Sequence, residues 1–96
     1  RKRKFYVVAA GALLPILNYH MNGIINKANG ILDDDQNKIG KYFPNINTKI
    51  LQMKSTSLKG SVCLIGCVHS HVTTRKIINI LIQKRAEIIL LPTITF

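Results

Sequence analysis

The sequence predicts one small α/β domain, and three features predict it. Its 96 residues suffice for a single core. Three short β-branched or apolar runs of strand length recur along it, at Phe5–Ala9, Ser61–Val68 and Glu87–Leu91. Between them, apolar residues return at helical spacing in two segments. At 47% hydrophobic residues the chain can fill a core, so a disordered chain is excluded.

Phe5 to Ala9 reads as a first strand, ending before Gly11. From Leu14 the period changes: Leu14, Leu17, Met21, Ile24, Ile25, Ala28 and Leu32 recur at three and four residues, which predicts one helical face. Pro15 suits its first turn, and Gly30 offers a stop. Residues 33–47 hold three Asp, several Asn, Gly40 and Pro44, so they read as an irregular connection. Thr48–Met53 follows as a short strand, and residues 54–60 as a loop. Thr73 or Thr74 can cap a second helix that runs to Lys84 and Arg85, whose charges favour its C-terminal end.

The resulting order, β-α-β-β-α-β, predicts a ferredoxin-like antiparallel sheet with two helices on one face. The alternative is a small open Rossmann-like parallel sheet, because strand 61–68, helix 73–85 and strand 87–91 also make a right-handed crossover unit. Residues 1–4 are a basic N-terminal arm and 5–96 the single domain.

Charge is the strongest functional signal. Fourteen Lys and Arg oppose four acids, for a formal net charge of +10. Almost every ionic contact this surface can offer is to an anion, which points to nucleic acid, anionic lipid or an acidic protein. RNA or another polyanion, within a larger assembly, is the expected partner. The residues named for phosphate contact are Arg1, Lys2, Arg3, Lys4, Lys54, Lys59, Arg75 and Lys76. Further cations are spread through the body at Lys27, Lys38, Lys41, Lys49, Lys84 and Arg85. The expected product is a ribonucleoprotein component, with no enzyme activity, cofactor or metal called for, in an intracellular compartment, cytoplasmic or organellar.

Lys59-Gly60, before the third strand, resembles the start of the RNP1 motif of RNA-recognition motifs, and Phe5-Tyr6-Val7 loosely resembles RNP2. That resemblance implies an open sheet face carrying stacking aromatics. Where RNP1 has its aromatics this chain has Ser61, Cys63 and Ile65, so only the first strand keeps the pattern.

Other constellations point elsewhere. Cys63, Cys67, His69 and His71 are zinc-ligand types, but on one strand they span roughly 26 Å, too far for one ion. The pattern reads as buried thiols and loop histidines. His71-Val72-Thr73 resembles the His-x-Thr motif of two-histidine phosphoesterases, which carry two copies where this chain has one. A phosphodiester-acting enzyme using His69 or His71 is therefore an alternative. The loop 67–74 precedes a helix and offers hydroxyls to phosphate without a Gly-rich fingerprint. Asp33-Asp34-Asp35-Gln36-Asn37 opens like a calcium loop, but Lys38 and Pro44 stand where Gly and Glu are required. These acids are expected to cap a helical turn or pair with lysines. Lastly, the RKRK arm and apolar run 5–17 have the layout of a signal anchor, which makes an accessory subunit of a membrane complex, held through residues 5–25, the remaining alternative.

Overall fold

The computed structural model describes residues 3–8, 14–43, 45–66 and 71–91. Its centre is strand β1 (Phe5–Val8), followed by helix α1 (Leu14–His20) and a short 3-10 helix (Ile24–Lys27). Strands β2 (Gly30–Asp33), β3 (Ile50–Gln52) and β4 (Val62–Ile65) come next, then helix α2 (His71–Gln83) and strand β5 (Ile88–Leu90). The five strands form one sheet in the order β3-β2-β1-β4-β5, and every pairing is parallel.

The parallel sheet overturns the ferredoxin-like expectation. The reason lies in a strand hidden inside a helical pattern. Ile31 and Leu32 are consecutive and both fully buried, which a surface helix does not allow but a central strand does. Ile31 packs with Val7, Ile50 and Leu64 on one face; Leu32 packs with Tyr6, Val8, Cys63 and Ile65 on the other. Gly30 lets β2 lie close against β3, because a Cβ there would come within 2.5 Å of the Leu51 side chain, which would have to shift.

Helix α1 ends early for a local reason. Asn22 takes a left-handed conformation (φ 55°), its N–H donates to the Tyr19 carbonyl at 3.3 Å, and the Gly23 N–H donates to the Asn18 carbonyl at 2.8 Å. This double bond pattern satisfies the last turn and turns the chain off the helix axis. The apolar spacing across Met21–Leu32 therefore continues past a helix that has already stopped.

The two faces of the sheet carry separate clusters. Leu14 of α1 and Ile25 of the 3-10 helix join Val7, Ile31, Ile50 and Leu64, together with Ile46 from the β2–β3 connection. On the opposite face Leu81 of α2 and Leu58 of the β3–β4 connection join Tyr6, Val8, Leu32, Cys63 and Ile65. The β1–β2 and β4–β5 crossovers run toward opposite edges with their helices on opposite faces, so both have the same hand, as sheet twist requires. A radius of gyration of 12.4 Å fits one compact unit of this length.

Helix α2 closes in the same way as α1, with Arg85 in the left-handed region (φ 62°), its N–H on the Ile82 carbonyl and the Ala86 N–H on the Leu81 carbonyl, both at 3.0 Å. A side chain is strained there where glycine is not. Arg85→Gly is expected to stabilise the fold by about 0.5–1 kcal/mol, net of the added freedom of the unfolded chain. A urea midpoint unchanged or lowered would contradict this.

Within residues 5–25, read as a candidate anchor, the described residues form the central strand, α1 and the opening of the 3-10 helix. No helix among the described residues is long and apolar enough to cross a membrane.

Candidate functional site

In a parallel sheet every strand starts at the same edge, and here a cation stands within three residues of each start. Lys49 precedes β3, Lys27 precedes β2, Arg3 and Lys4 precede β1, Lys59 precedes β4 and Arg85 precedes β5. All six side chains are exposed. With strands about 4.8 Å apart, the row runs for roughly 19 Å along the amino edge of the sheet.

The backbone holds this row in place. The Val62 N–H donates to the Lys4 carbonyl at 2.8 Å, Ile31 to that of Lys49 at 3.0 Å, and Gly60 to that of Arg85 at 3.0 Å. Beside Lys27, Asn29 spans the β1–β2 gap: its N–H reaches the Phe5 carbonyl at 2.7 Å and its Oδ1 accepts the Phe5 N–H at 2.8 Å. The main chain of Lys4, Lys49 and Arg85 is thus tied to the strands of the sheet or the turn beside them, while their side chains stay exposed.

The acids lie elsewhere. Asp33, Asp34 and Asp35 cluster at the carboxyl end of β2, where their carboxylates accept main-chain N–H groups: Asp33 from Asp35 at 2.9 Å, Asp34 from Lys54 at 3.1 Å, Asp35 from Asn37 at 3.0 Å. Asp35 thereby caps the helical turn in which Lys38 and Ile39 donate to its carbonyl. Glu87 alone among the acids sits at the amino edge, paired with Arg3. Both side chains are about half exposed, so this pair contributes about 0–1 kcal/mol. The remaining edge cations sum to a positive strip opposite a negative corner.

Of the residues named from sequence, Arg3, Lys4 and Lys59 lie in this row. Arg1 and Lys2 lie outside the described residues. Lys54 follows β3 at the opposite end of the sheet, with its carbonyl accepting the Lys84 Nζ at 3.1 Å. Arg75 and Lys76 are exposed in the first half of α2, on a different side of the molecule from the row. The sequence reading did not single out Lys27, Lys49 or Arg85. Their signal was their position just before a strand, which means something only when all strands point the same way.

The structure corrects one other expectation and agrees with a second at Cys63, the thiol expected to be buried. No open face exists for stacking bases on β1, because Tyr6 is buried in one cluster and Phe5 packs against the other. Cys63, the first residue of the Cys/His pattern, is buried within β4's core face with its Sγ 3.4 Å from the Ser61 Oγ, and burial pushes its thiol pKa up. A thiol held neutral in this way is a poor ligand or nucleophile at neutral pH. Cys67 and His69 fall outside the described residues, and His71 opens α2. Among the described residues no group of three or more metal-ligand side chains comes together.

Fold and edge together define a small basic α/β protein with a cationic row along the amino ends of a parallel sheet. Comparison with family models, with curated proteins and with solved structures finds no match to the chain.

Proposed function

We propose that this chain is an RNA-binding component of a ribonucleoprotein assembly, docking the sugar–phosphate backbone along the amino edge of a Rossmann-like parallel sheet. The observation that carries the reading is the row Lys49, Lys27, Arg3/Lys4, Lys59 and Arg85, one position for each of the five strands. Placed on a rigid edge, these charges add to one another's field and draw a polyanion before any specific contact forms.

Doubly wound sheets more often hold anionic ligands at the carboxyl ends of their strands. Here that end carries Asp33, Asp34 and Asp35, whose charges repel phosphate, while the opposite end attracts it. Phosphate contacts of this kind position a nucleic acid without reading its sequence. An RNA partner also accounts for the intracellular setting, cytoplasmic or organellar, expected from sequence.

Filter binding of single-stranded RNA across a salt series tests the reading. With Arg3 paired to Glu87, the five other row cations imply a log–log slope of about −3.5, since each single-strand phosphate contact contributes about −0.7. Affinity that stays flat with salt, or no binding at low salt, would remove the proposal.

A further inference from the structure

Beside the amino edge lies a cavity of about 260 Å³ lined by Pro15, Asn18, Tyr19, Asn45 and Ile46. It sits where one side of α1 meets the β2–β3 connection. The Asn18 side chain ties α1 to the 3-10 helix: its Oδ1 accepts the Ile25 N–H at 2.9 Å. That bond assigns the carbonyl end of the amide, so the Nδ2 hydrogens are the groups left over. Asn18 is more than nine-tenths buried, and among the described residues the hydrogen bond its side chain makes is the one its Oδ1 accepts from Ile25, with none from Nδ2. A buried amide donor without an acceptor is uncommon in folded proteins and calls for a partner of complementary chemistry.

The rest of the lining says what chemistry that is. Pro15 and Ile46 offer apolar walls, and Tyr19 stands 81% exposed at the site. A cavity slightly smaller than the ~300–1,000 Å³ of drug-sized sites suits a single planar ring system. Nucleobases combine a face that stacks on aromatics with ring-edge carbonyl or nitrogen acceptors. The cavity also adjoins the cationic row. Asn47 donates its N–H to the Asn26 Oδ1 at 2.9 Å, and the Thr48 hydroxyl donates to the Ile25 carbonyl at 2.6 Å. Lys27 and Lys49 are the next residues along each of these joined segments.

We infer that this cavity receives one base of a single-stranded RNA whose backbone lies on the row, with Tyr19 stacking on the base and the Asn18 Nδ2 donating to an acceptor on its edge. The inference rests on the proposed RNA docking and adds to it a preference for single strands that carry bases.

The test compares a short single-stranded RNA with an abasic ribose–phosphate chain of the same length, by fluorescence anisotropy at low salt. The wild-type chain is expected to favour the RNA. Tyr19→Ala is expected to weaken RNA binding by roughly 5- to 150-fold, the range of one lost base–aromatic stack, and to leave the abasic chain's affinity unchanged. Tyr19→Phe, which keeps the ring, should bind RNA like the wild type. Equal binding of RNA by wild type and Tyr19→Ala, or an equal loss for both ligands, overturns the base site while leaving the cationic row intact. If neither ligand binds the wild type at low salt, the docking proposal fails and the base site fails with it.

Discussion

Replacing Lys4, Lys27, Lys49, Lys59 and Arg85 together by Gln is expected to abolish most of the affinity for single-stranded RNA while the fold persists. Each lost phosphate contact takes about 0.7 from the log–log salt slope, so five take about 3.5, and near 0.1 M salt this is a loss of roughly three orders of magnitude. The fold should survive, because these side chains are exposed and the sheet bonds beneath them use main-chain atoms. Removing net positive charge also relieves self-repulsion in a chain of +10. The control is the triple change of Lys54, Arg75 and Lys76 to Gln. These three stand off the amino edge, so their loss per charge should be well below that of the row. Equal losses per charge would mean that the protein binds polyanions through its total charge and that the edge has no special part. Salt-series titrations of both variants, with circular dichroism to verify folding, decide between the two outcomes.

Ile31→Lys is expected to unfold the protein or leave it marginal. Ile31 is fully buried in β2 with Val7, Ile50 and Leu64 around it. Burying an uncompensated ammonium there costs several kcal/mol, on top of the roughly 1.5–3 kcal/mol lost with the isoleucine side chain. A domain of this size has only about 5–14 kcal/mol to lose. The same change separates two readings of one segment. On a helix running from Leu14 to Leu32, Ile31 falls at the margin of the apolar face, where a lysine can extend its charged end to solvent at far smaller cost. In the parallel sheet it is central. A thermal midpoint within a few degrees of wild type would show that residues 30–33 do not form the inner strand described above.

Much of the fold was legible because local chemistry agreed with it. β1, β4 and β5 sit inside runs whose aromatic and β-branched residues favour extended backbone, and α2 covers most of its expected region but opens at His71, so that Thr73 and Thr74 lie inside the helix they were expected to cap; its Ile77, Ile78 and Leu81 are turned to the core. The segment 14–33 was not legible, since three- and four-residue spacing of apolar side chains cannot distinguish one long helix from a short helix, a turn and a buried strand. What separates them is the stop at Asn22-Gly23, a strong local signal that the following apolar residues obscured. The candidate site suffered from the same error. Arg3, Lys4 and Lys59 stood out because they lie near runs of charge or beside a motif-like pair, whereas Lys27, Lys49 and Arg85 looked like members of a general spread.

Composition and local periodicity are enough for the α/β class, the excess of positive charge and the poverty of acids. Where the charges act depends on how distant strands pair. A basic residue before a strand has no fixed address: in a sheet of alternating direction such residues divide between opposite edges and their fields disperse. Once β2 joins the sheet and all five strands run the same way, strand direction carries every one of them to a single edge, where like charges about one strand spacing apart sum to a field that none produces alone.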